Sequence, residues 1–338
     1  LQHIQPTYIP YYEHFILSQG PLENLIRLFL IRGTLSDEEI SELFDPALLK
    51  LLCGIGVLHC DQSGAYNANI SIFPVGSFLI ATDHRFLFLE KDKITEDPVM
   101  YIGSDSFGLV QTAPHLVSQH TLDLCTGSGI QAISASRYSK QVTAIDINPR
   151  AVRFARFNAQ LNNVKNVSVQ LGNLYEGLDN VKFDTILANP PFVPSPNLET
   201  KFRDGGVSGE DILREIVKGA NGHLTSSGRL FIVTDLVDVQ HYEKKLELWW
   251  GSAHADTLVL KTADRNEILF SVPHCHHPYN QSFVEYEKEL VSWINNFRAE
   301  NLKAVNFGYL LFHKNDSETS YFCKTINNPS TAIHDKVV

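Results

Sequence analysis

In the first hundred residues apolar positions recur at helical spacing, whereas beyond residue 120 they gather into short continuous runs. Leu22, Leu25, Ile26, Phe29 and Leu30 share one face of a helical repeat and predict an amphipathic helix within residues 20–57. Ser36, followed three residues later by Glu39, reads as a capping box that opens a second short helix. A third is expected over Pro46 to Cys53. Gly54, Gly56 and the Ser63-Gly64 turn then interrupt the period, and strand-like stretches follow at Asn69 to Phe73 and Phe78 to Ala81.

From Thr121 the apolar runs Thr121 to Cys125, Val142 to Ile147, Val167 to Leu171, Phe183 to Ala188 and Arg229 to Thr234 read as strands. Helical stretches separate them at Ile130 to Arg137, Pro149 to Leu161 and Asp211 to Ala220, with Pro149 at a helix start, where its missing N–H costs nothing. This is the rhythm of βαβ units, and it predicts a doubly wound α/β domain around a parallel sheet. A sixth strand is expected at Asp256 to Leu260 and a further strand-like segment at Glu267 to Val272. A long helix over Phe283 to Glu300 and a last strand over Val305 to Phe312 complete the reading.

At 338 residues and 43% hydrophobic content the chain can bury two cores. The expected division is a smaller domain over 1–100 and a larger one over 101–338. Twenty-eight basic against 38 acidic residues give a net charge of −10, which repels a phosphate backbone. Three helices followed by two paired strands resemble a winged helix. Residues 1–100, however, carry 6 Lys or Arg against 13 Asp or Glu, a net of −7, and no helix has a basic face. That domain is expected to recruit substrate or dimerise rather than to bind DNA. Cys53, Cys60, Cys125, Cys275 and Cys323 are odd in number and lack metal-ligand spacing, so a reducing, cytoplasmic setting is expected, without a disulfide framework or a bound metal. No apolar run approaches the roughly 18 residues of a membrane span. The chain opens on Leu1, and the expectation is an excerpt of a longer protein, with targeting signals left open.

Candidate chemistry begins at Leu122-Asp123-Leu124-Cys125-Thr126-Gly127-Ser128-Gly129, a strand running into a glycine turn and a helix start. Gly127 and Gly129 allow close backbone approach, and the free N–H groups of the helix start suit a nucleotide-like ligand. Gly127 to Ala132 also satisfies the dinucleotide fingerprint, so this loop alone leaves an NAD-dependent dehydrogenase in contention. Asp146 ends the next strand, 23 residues beyond Asp123, where a carboxylate accepts ribose hydroxyls or complements a helix N-terminus. Asn173, after the third strand, offers an amide to an adenine edge.

Leu187-Ala188-Asn189-Pro190-Pro191-Phe192 decides between the ligands. Two prolines hold the chain extended, so the Asn189 side-chain oxygen and the Pro190 carbonyl form a pair of acceptors suited to a planar NH₂ group. Phe192 would stack on that plane while the nitrogen is held for in-line displacement. The plainer alternative is a rigid strand exit with Phe192 as core filler.

Together, Asp123 to Gly129, Asp146, Asn173 and Asn189 to Phe192 resemble motifs I to IV of the class I S-adenosylmethionine-dependent methyltransferases. The likeness is to their Asn-Pro-Pro-aromatic group, whose members methylate RNA guanine, adenine or release-factor glutamine, and it covers about residues 105–235. The resemblance implies a Rossmann-like seven-stranded sheet with an antiparallel final strand, preceded here by the smaller helical domain. It implies S-adenosylmethionine as cofactor, with Asp123, Gly127 and Gly129 at the methionine end and Asp146 at the ribose. Cys125, Thr126, Ile147, Asn173, Leu174 and Asn189 are further expected cofactor contacts. Asn189, Pro190 and Phe192 are the expected catalytic residues. Asn173 departs from the family pattern, where an Asp is commoner.

Weaker signals surround these. His274-Cys275-His276-His277 reads as a substrate-facing loop supplying a general base rather than a metal site. Phe202 to Gly206 with Gly209 reads as a loop over the acceptor or as a plain glycine-rich connector. Ser104 to Pro114 is expected to fold over the methionine tail, and Trp249 and Trp250 to pack at a helix end. Three functions follow. The first is methyl transfer to a small-molecule or peptide acceptor, as in natural-product tailoring. The second is N-methylation of an RNA base or a protein glutamine amide. The third is non-catalytic nucleotide binding or NAD-dependent oxidoreduction. Expected partners are a small-molecule or peptide substrate, with nucleic acid disfavoured, no membrane and a homodimer left open.

Overall fold

The computed structural model describes residues 8–84, 97–198, 200–251, 255–275, 282–315 and 322–327. The chain divides into two compact units, Leu1–Thr95 with Val99–Ser104, and Glu96–Pro98 with Asp105–Val338. In the first, a short turn α1 (Ile9–Tyr11) precedes α2 (Pro21–Phe29), which starts on Pro21 and buries Leu28 and Phe29. α3 (Asp37–Leu43) opens on the capping box: Ser36 Oγ accepts from the Glu39 N–H and Glu39 Oε2 from the Ser36 N–H. α4 (Pro46–Gly54) is capped by Asp45, whose Oδ1 accepts from the N–H groups of Ala47 and Leu48. Two separate antiparallel hairpins follow, β1 (Leu58–Cys60) with β2 (Tyr66–Ala68) and β3 (Ile70–Val75) with β4 (Phe78–Asp83).

The second unit runs α5 (Ser104–Thr112), β5 (Ser118–Leu124), α6 (Ile130–Ala135), β6 (Ser139–Asp146), α7 (Pro149–Leu161), β7 (Val167–Leu171) and β8 (Phe183–Ala188). It continues with α8 (Asp211–His223), β9 (Leu224–Val237), α9 (Tyr242–Trp250), β10 (Ala255–Arg265), α10 (Glu267–His274), α11 (Phe283–Ala299), β11 (Val305–Lys314) and β12 (Phe322–Asn327). One sheet of order β12-β10-β11-β9-β8-β5-β6-β7 holds the eight strands of its described residues. β5 to β9 are mutually parallel and β11 is antiparallel to both neighbours. The seven strands from β7 to β10 thus reproduce the doubly wound sheet that the apolar runs predict, because strands covered on both faces read as continuous hydrophobic segments. One core layer gathers Leu122, Leu124, Ile186, Ile216, Val217 and Trp250, and the other Ala132, Ala144, Val152, Leu187 and Val233. Trp249 and Trp250 are buried at the end of α9, with Trp250 stacked on Phe312 at 4.9 Å.

Two expectations need correction. Val305–Lys314 is not the last strand: β12 follows and pairs in parallel with β10, covering an edge that would leave a row of unpaired backbone groups. Glu267 to Val272 is not a strand. It belongs to α10, because Asn266 Oδ1 accepts from the N–H groups of Ile268 and Leu269 and caps a helix there.

Candidate active site

The sheet reverses direction of build between β5 and β8, and in open α/β sheets ligands bind outside the carboxyl ends of the strands at such a point. The three carboxyl ends there, β6, β5 and β8, carry Asp146, the glycine loop and Asn189. The loop after β5 is bent through positive φ at Cys125 (+56°), Gly127 (+54°) and Gly129 (+84°). A Cβ on Gly129 would lie 3.1 Å from that of Ala155, so this glycine also lets α6 approach α7. Asn158 on α7 supports the loop by donating to the Ser128 carbonyl at 2.8 Å, a brace with no sequence signature.

Asp123 is fully buried beneath the loop. Its Oδ2 accepts from Thr126 Oγ1 at 2.5 Å and from the Ala132 N–H at 3.0 Å, while its Oδ1 is buried and among the described residues has no hydrogen-bond partner. Burial pushes its carboxyl up to about 7, against the pull of those two donors. Asp146 accepts from the N–H groups of Gly127 at 2.8 Å and Asn148 at 2.9 Å, and its carboxyl too is raised by burial and lowered by the backbone donors. The Ile147 N–H is a third backbone donor to it, and of the about four lone-pair sites of a carboxylate one remains. Ile147, next to it, is 64% exposed. The Cys125 thiol is raised by burial. Asn173 is exposed and its Nδ2 donates to Glu176 at 3.0 Å, which leaves its oxygen available; Leu174, at positive φ, packs against the core.

Asn189 leaves β8 half-buried. Its Nδ2 donates to Asp105 Oδ2 at 3.1 Å and approaches Ser106 Oγ at 3.5 Å, both on α5. Asp105 lies 84 positions away in sequence and is the contact that sequence reading missed. Phe192 is half-buried, set edge-on to Phe307 at 6.4 Å and packed on the cluster of Val237, Phe270, Trp293 and Phe297. Part of its ring is therefore core filler.

The segment after the prolines is fastened to the glycine-rich loop. The Val193 N–H donates to the Arg203 carbonyl at 2.9 Å, the Gly205 N–H to the Val193 carbonyl at 3.0 Å, and the Ser195 N–H to the Gly206 carbonyl at 3.0 Å. A Cβ on Gly205 would lie 2.8 Å from the Pro191 carbonyl oxygen, and one on Gly209, at φ +77°, 2.6 Å from that of Phe192. The glycines are present because the two backbones touch.

The general-base reading of His274 does not survive. His274 is in the last turn of α10, with Nδ1 2.6 Å from the Phe270 carbonyl oxygen and its ring stacked on Trp293 at 5.4 Å. Burial and the nearby Arg203 and Arg265 lower its pKa to about 4, so it is a neutral packing group at pH 7. His276 and His277 lie outside the described residues.

Residues 102–256 match the family model of the methyltransferase small domain. Over 149 residues the chain is 33% identical to a Methanocaldococcus jannaschii protein that bears the name of a protein N5-glutamine methyltransferase, an overlap of 41% of this chain and 74% of that protein. It is 36% identical over 154 residues to the ribosomal protein uL3 glutamine methyltransferase of Bradyrhizobium diazoefficiens, covering 39% of this chain and 48% of the relative, so it spans about half the length of that enzyme. Among solved structures it is similar to a ribosomal protein L11 methylase of Lactobacillus delbrueckii, with TM-score 0.33 and 22% identity over 48% of this chain and 70% of that one. The archaeal relative, the small-domain match and the glycine loop, Asp146 and Asn-Pro-Pro-Phe turn at three adjoining strand ends agree: the chain belongs to the class I S-adenosylmethionine-dependent methyltransferases, in their Asn-Pro-Pro-aromatic group.

Proposed function

We propose that this methyltransferase modifies the side-chain amide nitrogen of a protein glutamine. The observation that carries the reading is the state of Asn189: its NH₂ is taken by Asp105, so its oxygen is the end left for an acceptor, and among the described residues nothing donates to it. Pro190 and Pro191 have no N–H, so the turn presents the Asn189 Oδ1 and the Pro190 carbonyl with no competing donor. A primary amide brings two N–H groups to this pair. A glutamate carboxylate brings only oxygens, and meets the charge of buried Asp105 as well. The names of the relatives favour the glutamine amide over small-molecule tailoring, and the net charge of −10 weighs against RNA.

The cofactor site fits. Among the described residues Asp123 keeps an unpartnered buried oxygen, Asp146 keeps one lone-pair site beyond its three backbone donors, and the helix start of α6 follows a loop bent by glycines. Asp123, Cys125, Thr126, Gly127 and Gly129 would hold the methionine end, Asp146 the ribose, and Ile147, Asn173 and Leu174 the adenine. When bound, S-adenosylmethionine supplies an electrophilic methyl group. Asn189 and Pro190 hold the two amide hydrogens and fix the nitrogen for in-line attack, and the exposed part of the Phe192 ring lies along the amide plane. The acidic unit over 1–100 recruits the protein substrate in this reading. The test is transfer of labelled methyl from S-adenosylmethionine to matched glutamine and glutamate peptides, with the modified atom read by fragmentation mass spectrometry. Label on the glutamine amide supports the assignment; label on a carboxylate, a hydroxyl or a small-molecule acceptor alone overturns it.

A further inference from the structure

We infer that Asp105 is a positioning residue that selects the orientation of the Asn189 amide, and so decides that the turn presents an acceptor rather than a donor. This rests on the glutamine reading above only for what the acceptor is. An asparagine side chain has two nearly isosteric orientations, differing by exchange of O and NH₂. With a carboxylate 3.1 Å away, only the orientation that points NH₂ at Asp105 is favourable, since the other sets two oxygens against each other. Shape does not choose here; charge does.

The fold holds Asp105 in place for this. It is 6% exposed in the first turn of α5, and that helix is seated closely on the sheet: a Cβ on Gly108, less than one turn further on, would lie 2.0 Å from Tyr309 Oη on β11. Among the described residues the groups holding the Asp105 charge are the Asn189 amide and backbone N–H groups of its own turn. The charged or titratable groups facing it from the sheet are Asp235 on β9, itself paired with Arg265 from the end of β10, and Tyr309 on β11. Burial raises the Asp105 carboxyl above its ordinary range, against the pull of Asn189. Once protonated, its O–H can donate to the Asn189 oxygen and turn the amide over, which removes the acceptor from the turn.

The experiment uses the full chain, labelled with ¹⁵N-asparagine and saturated with S-adenosylhomocysteine. The Asn189 side-chain resonance is identified by its loss in Asn189→Ala, and N-acetylglutamine amide serves as the probe. In the wild type the Asn189 NH₂ signal is expected to move along a titration above the ordinary carboxylate range; in Asp105→Asn, which keeps the side-chain shape, that titration vanishes. In Asp105→Ala the signal shifts at all pH values, probe affinity falls about tenfold or more, as for loss of a charged hydrogen bond, and S-adenosylhomocysteine affinity stays within about threefold. An Asn189 signal that titrates unchanged in Asp105→Asn, or cofactor affinity that falls together with probe affinity, overturns the assignment. Should Asp105→Ala fail to fold, the Asp105→Asn titration decides. A wild-type Asn189 signal that senses Asp105 but ignores the amide probe counts for the positioning role and against glutamine as acceptor.

Discussion

The proposed cofactor end and the proposed acceptor end of the candidate site are built in different ways. At the cofactor end Asp123, Thr126, Gly127, Gly129 and Asp146 come from two neighbouring strands and the turns that follow them, and most of their hydrogen bonds are to one another or to nearby backbone. At the acceptor end the Asn189 turn is held by α5 from 84 positions before it, and the following chain by the loop over 203–209 and the cluster of α10 and α11. A short motif suffices to specify the first, because its atoms are already neighbours along the chain. The second exists only once distant pieces have packed.

If the two ends are separable, substitutions at one should leave the other intact. The largest effect is expected at Asn189: replacing it by Ala removes one of two positioned acceptors and lowers kcat by about 10²–10³-fold, the usual cost of one preorganised polar group, with S-adenosylhomocysteine affinity unchanged by calorimetry. A parallel loss of cofactor binding would show that the ends are one unit. Next comes Gly209→Ala, which places a Cβ 2.6 Å from the Phe192 carbonyl oxygen at φ +77°. It should cost about 2–4 kcal/mol through overpacking and left-handed strain, read as a thermal midpoint lowered by roughly 5–10 °C. Asp146→Ala should act in the opposite sense to Asn189→Ala: cofactor affinity falls by roughly 10–100-fold, as for a lost charged hydrogen-bond acceptor, while kcat at saturating cofactor changes little. Weakened acceptor binding in that variant would count against the division.

The smallest catalytic effect is expected at His274. Its pKa lies at about 4, below the ordinary 6.5, so the unfolded chain takes up the proton first. Its contribution to stability is complete above pH 6.5 and is lost as pH falls towards 4, an upper limit of roughly 3 kcal/mol. Asp123 and Asp235, raised to about 7 and about 6, act the other way and favour the folded state as pH falls through that range towards 4. His274→Phe keeps the stack on Trp293 and should remove only the first effect, so the comparison of denaturant midpoints at pH 7 and pH 5 isolates it. Turnover should change by less than about threefold, about what one lost neutral hydrogen bond costs. A missing limb in the pH–rate profile of this variant would restore the general-base reading.

Much of the catalytic unit is legible in the chain. β5 to β9 and α6 to α8 follow from apolar runs, helical spacing and Pro149 at the start of α7, since a parallel strand covered on both faces and an amphipathic helix each leave a local pattern. α10 is not legible as a helix: Glu267 to Val272 is a short apolar run that fits either period, and Asn266 settles it only once its side chain is seen to cap. β12 is short and its place is set by the open edge of β10 rather than by its own residues.

The sequence by itself determined the class of chemistry, because a glycine turn, a strand-end carboxylate and an Asn-Pro-Pro-Phe turn have their meaning in order and spacing along the chain. Tertiary structure alone decided which group orients Asn189, why Gly205 and Gly209 must be glycines, and that His274 is half-buried and neutral. These depend on approach between segments remote in sequence and on the loss of water around them, and neither desolvation nor a 3 Å contact across 84 positions leaves a local trace in the pattern of residues.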